Sequence, residues 1–278
     1  MLGVIIGVAA VVAMLSIGEG AKQEALEQIS ILGINNIIIN AKVPEETPGA
    51  NESLARSPGL TLDDGENIAR FGELVENVVP QRYEGIPSVF YGGQEAPVRV
   101  VATVPDYVYS SSIEVEYGRF VTPSDIASYS QVCVLGAKAK RQLFAFANPI
   151  GEVVRIGDLD FTVVGVMADK YIGRGKVEGL ELKNLNEDVY IPFTTAVKKF
   201  ERVPTGESQG GFYRRHGSEN EDGGLAYNTA EIDQLTVTVT DLTFVPAVSK
   251  LVEAVLKRRH ANIEDYEILV PESLLRQS

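Results

Sequence analysis

Residues 2–17 (LGVIIGVAAVVAMLSI) carry no charge and nothing more polar than Ser16. No polar stripe interrupts the run, so it cannot sit as a half-exposed helix on a soluble fold. A crossing helix needs about 20 apolar residues to span a hydrocarbon core of roughly 30 Å, and this run comes close. A signal peptide would begin with a basic region, but no Lys or Arg precedes the apolar residues. Gly3, Gly7, Ala9, Ala10 and Ala13 are small enough to let membrane helices approach closely. The sequence therefore predicts a transmembrane helix over residues 1–18 that ties everything after it to a lipid bilayer.

The next segment extends that helix into water. Ala21, Ala25, Leu26 and Ile29 fall on one side at helical spacing, while Lys22, Glu24, Glu27 and Gln28 fall elsewhere. This predicts an amphipathic stalk over residues 19–33, stopped near Gly33. If the chain transmits motion, the candidate coupling residues are Gly18, Glu19, Gly20, Ala21, Ala25, Leu26 and Ile29.

Charge and side-chain chemistry then exclude several functions. A net charge of −13 disfavours a nucleic-acid partner, which needs clustered Lys and Arg, and a broad contact with anionic lipid. A single cysteine, Cys133, cannot form an internal disulfide. It lies in the apolar stretch Gln131–Leu135 and reads as a buried structural thiol. The two histidines, His216 and His260, are too scattered for a metal site. His216 sits in a Gly-rich polar loop. His260 follows Lys257-Arg258-Arg259 at a predicted helix C-terminus, where positive charge suits the helix dipole. Tyr171–Lys176 has only a faint likeness to a phosphate loop, because Val177 stands where Ser or Thr would hold magnesium. No nucleophile elbow, zinc-binding pair or dinucleotide fingerprint is present, so neither a catalytic centre nor a cofactor is expected.

Beyond the anchor, about 245 residues remain, enough for one large domain or two modest ones. Asn36–Asn40 reads as a strand, and Val43–Gly59 as a loop. Thr61 reads as the N-cap of a helix with Asp63 and Asp64 in its first turn and Ile68, Phe71 and Leu74 on its apolar side. Val75–Tyr83 and Pro97–Val104 read as strands. In the centre, Thr122-Pro123-Ser124-Asp125 starts a helix, the Cys133 strand follows, and Lys138–Phe146 is a short helix. Glu152–Ile156 and Asp160–Met167 flank Gly157-Asp158, a hairpin signal. Asp188–Pro192 is one more strand. Val203–Asn228 is a polar, Gly-rich insertion. Leu235, Val237 and Val239 alternate with threonines as in a half-buried strand. Val245, Val248, Leu251, Val252, Val255 and Leu256 form one helix face, and Tyr266–Val270 is a last strand. The closing strand–helix–strand unit mirrors the opening one, so residues far apart in sequence are expected to share one part of a sheet.

Several blocks carry a resemblance to a known family. They are Leu2–Val11, Ser16–Lys22, Leu32-Gly33 before Asn35-Asn36, Asn148-Pro149-Ile150-Gly151 ahead of Phe161–Val166, and Leu256–His260. In these blocks the chain resembles the MacB-like periplasmic core domain of ABC transporter permeases. That family includes macrolide exporters and relatives of the lipoprotein-releasing and cell-division permeases. The resemblance implies an α+β fold: a porter-like subdomain from residues 34–108 and 228–278, with a mostly β, sabre-like subdomain inserted over 109–227. It implies a place in the bacterial inner membrane with the soluble part in the periplasm. The implied partners are an ABC ATPase domain or subunit, a second permease copy, a periplasmic adaptor and membrane lipid. The implied role is transmission of ATP-driven movement through the stalk during export, with ATP hydrolysis on a separate domain.

The sequence departs from that pattern in three ways. It has no Walker motif, no later transmembrane helix after the domain, and no basic segment before the first apolar run. It is therefore read as a fragment of a longer permease. The Val203–Asn228 insertion matches nothing in the family pattern. A competing reading is a membrane-anchored periplasmic binding or adhesion module without an ATPase. A secreted hydrolase is a third, for which no nucleophile, base and orienting group can be named.

Overall fold

Ile37 and Ile39 point to the same side of an extended segment, and both are fully buried. That alternation sets the face on which the first strand packs. The computed structural model describes residues 35–42, 59–86, 88–111, 113–169, 185–200 and 231–270, together with Met14. In chain order its elements are β1 (Asn36–Ala41), α1 (Leu62–Ala69), β2 (Val75–Glu84), β3 (Ser88–Tyr91), β4 (Gln94–Pro97), β5 (Arg99–Thr103), α2 (Tyr107–Ser111) and β6 (Val115–Gly118). There follow α3 (Pro123–Ser128), β7 (Val132–Leu135), α4 (Ala137–Phe144), β8 (Val153–Ile156), β9 (Leu159–Met167), β10 (Asp188–Pro192), α5 (Phe193–Lys199), β11 (Gln234–Val239), α6 (Val245–Arg259) and β12 (Tyr266–Leu269).

The fold is α+β, built on one mixed sheet in the order β12-β1-β11-β2-β5-β10-β7-β9-β8-β3-β4, with β6 added on β9. Two pairings are parallel, β5 with β10 and β7 with β9. At one end, β1 lies between β11 and β12, antiparallel to both. Residues 36–41 are thus joined to residues 234–239 and 266–269. Strand β2 links this end to the rest. Its first part, to Gln81, pairs with β11, and its last three residues, Arg82–Glu84, pair with β5.

Helices α1 and α6 cover one face of the β1-β11 end. Ile68 from α1 and Val245, Val248, Val252 and Leu256 from α6 share a core with Ile37, Ile39, Leu235, Val237 and Val239. Burying each such side chain is worth about 1.5–3 kcal/mol, which is what holds two helices far apart in sequence on one set of strands. A second core gathers Val79, Val101, Tyr107, Phe120, Val134, Met167 and Tyr190.

Local chemistry explains most element boundaries. Asp64 reaches back to close the start of α1, because the Thr61 amide and hydroxyl both donate to its carboxylate, at 2.9 and 2.7 Å. Thr122 and Asp125 repeat the device at α3. Gly157 adopts φ +59° in the β8–β9 turn, as the hairpin signal required.

The structure refines the sequence reading in four places. Pro97–Val104 is not one strand: Pro97 ends β4 and β5 begins at Arg99. The β3–β4 hairpin was not anticipated, although Gly92-Gly93, with φ +54° and +81°, is a strong turn signal. Helix α4 stops at Phe144, because Ala145 turns to φ +49°. On α6 Leu251 is exposed and Val255 only half-buried, so the apolar face is narrower than expected. Among the described residues no helix is long and apolar enough to cross a membrane. The predicted transmembrane segment, the stalk and the Val203–Asn228 insertion lie outside those residues, apart from Met14.

Candidate functional site

The proposed coupling residues Gly18, Glu19, Gly20, Ala21, Ala25, Leu26 and Ile29, together with His216 and Tyr171–Lys176, lie outside the described residues. What the structure does describe is where the chain arrives from that segment. Asn35 is tied to β11 in both directions: its Nδ2 donates to the Val239 carbonyl at 2.7 Å, and the Val239 amide donates to the Asn35 carbonyl at 2.9 Å. Asn36 is buried. Its Nδ2 donates to the Ser110 carbonyl at 2.7 Å, and its Oδ1 accepts from the Thr238 hydroxyl at 2.8 Å. The paired asparagines thus fix the first strand on two other segments, β11 and α2. Their place in a motif was legible in the sequence; their bonding was not.

The chain leaves beside the point where it arrives. In the β1–β12 ladder Ile38 faces Leu269 and Ala41 faces Tyr266. The start of β1 and the end of β12 therefore lie at the same end of the sheet, on neighbouring strands about 5 Å apart. Strands β12, β1 and β11, with α1 and α6 packed on one face, make up one side of the sheet order, its root.

At the opposite end of β12 the root is closed by a buried charge cluster. His260, the C-cap of α6, is 1% exposed. Its Nδ1 lies 2.7 Å from Asp265 Oδ1, and its Nε2 lies 3.3 Å from Asp64 Oδ2. Arg259 Nε also donates to Asp64. Burial alone would lower the imidazole pKa, but the hydrogen bonds it donates to Asp265 and Asp64 outweigh it and raise it from 6.5 to about 9. Burial likewise opposes ionisation of Asp64, yet its bonds to His260, Thr61 and Arg259 hold its pKa well below the usual carboxylate range. Because the histidine's pKa is raised by folding, its contribution is complete below pH 6.5 and is lost as pH rises through about 9. The sequence reading placed His260 at a helix end but gave no sign that two carboxylates would enclose it, because Asp64 is almost two hundred residues away.

A second buried polar group marks the seam where β2 passes from β11 to β5. Arg99 holds Asp188 with two hydrogen bonds, at 2.9 and 2.6 Å. The Asp188 side chain is 1% exposed. The guanidinium lies 5.2 Å from the centre of the Tyr83 ring. Tyr83 donates to Gln234 at 2.6 Å, and Tyr107 and Tyr190 pack against each other with ring centres 5.1 Å apart. Burial pushes the pKa of all three tyrosines up, so they remain neutral donors. Burial acts against the Arg99 charge, but Asp188 more than offsets it.

None of this is reaction chemistry. Cys133 is fully buried, and burial pushes its thiol pKa far up. Among the described residues no three His, Cys, Asp or Glu side chains stand where they could hold a metal ion. An open groove of about 520 Å³ lies beside Phe90, Gly92, Val153, Arg155 and Asp160. The two ionic groups tie elements distant in sequence, Asp188 to Arg99 and Asp64 and Asp265 to His260.

A family model for the MacB-like periplasmic core domain matches residues 1–255. The macrolide export ATP-binding/permease protein MacB of Vibrio parahaemolyticus is 31% identical over 195 residues, covering 70% of this chain and 28% of that protein. The pyoverdine export ATP-binding/permease protein PvdT of Pseudomonas savastanoi is 27% identical over 271 residues, 96% of this chain and 35% of that protein. The chain thus spans about a third of the length of the curated relatives it matches. The crystal structure of the periplasmic region of MacB from Actinobacillus actinomycetemcomitans shares the fold. Its TM-score is 0.63 at 20% identity, over 91% of this chain and 96% of that one.

Proposed function

The chain belongs to the MacB-like periplasmic core domain family of ABC transporter permeases, and from that premise we propose that it transmits movement and performs no chemistry of its own. Residues 1–18 cross the inner membrane and residues 19–33 form the lever. Residues 34–108 and 228–278 supply the porter-like root, and residues 109–227 form the unit carried on it, with β3, β4 and β5 of the first stretch lying on that unit's side of the sheet. The ATPase is a separate domain or subunit. The permease works as a pair of copies, handing cargo toward a periplasmic adaptor.

One observation carries this reading: the incoming and outgoing strands are neighbours at one end of the sheet. A displacement of the lever reaches β1, and β1 is bonded on both sides, so the root moves with it. The relatives' names refer to different cargoes, a macrolide and pyoverdine. A domain shared by exporters of unlike molecules fits transmission better than cargo recognition.

The test is a proline in the lever. Ala25→Pro removes a helical hydrogen bond and costs roughly 3 kcal/mol of helix stability or more. In the full-length permease with its ATPase, ATP hydrolysis should persist while export falls at least about tenfold, at unchanged protein level. Export at the wild-type rate in that variant would sink the lever reading.

A further inference from the structure

His260 has a carboxylate against each ring nitrogen. Carboxylates only accept hydrogen bonds, so both nitrogens must carry a proton for the cluster to be satisfied. The ring is therefore an imidazolium, and the site is a cation held between Asp64 and Asp265. These two residues come from different places. Asp64 lies in the first turn of α1, and Asp265 immediately precedes β12. Strand β12 is the last in the sheet order, and among the described residues β1 is its only ladder partner, over four residue pairs. Such an edge strand frays unless something pins it.

We propose that the protonated His260 is a latch that fastens the outgoing strand β12 to α1 and α6, and that loss of this one proton releases the strand from its inner end. The charges facing the ring from each neighbouring element support this. From α1 come Asp63 and Asp64, with the Thr61 hydroxyl on Asp64. From α6 come Arg259 and, one to two turns back, Lys257 paired with Glu253. From the connecting loop come Glu264 and Asp265, and from β12 the Tyr266 ring, edge-on at 5.4 Å. From the end of β1 comes Lys42, whose amide donates to the Asp265 carbonyl at 2.8 Å. Acidic groups already outnumber the basic ones with the imidazolium in place, and loss of its proton removes the one cation that stands between Asp64 and Asp265, so the two carboxylates then face a neutral ring. The latch is closed at neutral pH and opens in alkali.

The experiment is hydrogen exchange on the full-length permease from pH 7 to 10, corrected for the base-catalysed rate of an unstructured peptide. Amides of 266–269 are followed against those of 188–192. In the wild type, β12 should lose at least about tenfold in protection with a midpoint near pH 9, while β10 stays protected. In His260→Gln, β12 should already be exposed at pH 7 and show no step. Asp265→Asn keeps the ring but removes one carboxylate, and its step should move to lower pH. It is the informative variant if His260→Gln does not fold. A wild type without a step up to pH 10, a step unmoved by Asp265→Asn, or wild-type β12 protection in His260→Gln would each overturn the latch. Because this readout involves no transport, its failure is distinct from failure of the lever reading, on which it does not rest.

Discussion

Gly165→Ala should destabilise the chain by about 3 kcal/mol and lower its melting temperature by about 10 °C. The reason is a backbone crossing. Gly165 in β9 faces Gly118 in β6, and the chain at Arg119 runs directly over it, with the Arg119 amide donating to the Val164 carbonyl at 3.0 Å. A Cβ built on Gly165 would stand 2.0 Å from the Arg119 carbonyl oxygen. That oxygen belongs to the main chain, so no side-chain rotation relieves the clash. The partner glycine is equally constrained, because Gly118 has φ +75° and its Cβ would meet the Val164 carbonyl at 2.3 Å. The register of β9 against both β6 and β7 is irregular here, as at a bulge. A thermal melt of the variant decides the matter. A melting temperature within about 2 °C of the wild type, less than 1 kcal/mol by the same scaling, would mean that the two strands part at little cost. The loss should appear first in protection of β6 and β9, with the β1-β11 end following.

Arg99→Met should cost about 3–4 kcal/mol, because it leaves the Asp188 carboxylate buried without its cation. Met approximates the length of the arginine stem, so lost packing is kept small. Asp188 starts β10, and its carbonyl also accepts from the Gly136 amide at 2.8 Å. A loosened Asp188 would therefore disturb the β5–β10 pairing and the turn into α4 together. The companion variant Arg99→Met with Asp188→Leu replaces the pair by apolar groups and should recover more than half of the loss. Urea midpoints at constant slope give both values. Equal losses in the single and double variants would mean that the pair holds nothing together.

The parts of this fold legible in sequence are those set by local rules. The strand at Leu235–Val239, the Thr61 and Thr122 caps and the Gly157 turn each rest on a few residues and appear where expected, but that strand is buried on both faces, Thr236 and Thr238 included, and not half-buried as its alternation suggested. The strand–helix–strand symmetry between the two ends was also readable, and β1 does pair with β11 and β12. The candidate joints were not. Arg99 and Asp188 are nearly ninety residues apart, and Asp64 and His260 nearly two hundred, so no local pattern predicts that they meet. A lone histidine after three basic residues looks like a dipole-completing end group, and only the tertiary fold brings two acids to it. Gly165 is intermediate. It lies within the family-like block Phe161–Val166, but the reason for a glycine there, a main-chain crossing at Arg119, needs the β6–β9 pairing to be seen.

The adjacency of the first and last strands has a consequence for how such a protein can be rebuilt. Helices continuing from these two strand ends, about 5 Å apart, would need to part only to the roughly 8–10 Å between packed helix axes, a gap that an ordinary helical hairpin bridges with a short turn. The entire body can then be excised and a brief turn spliced in its place without prying those helices apart. By the same reasoning, an unrelated cargo-binding module with adjacent termini is a suitable graft at this position.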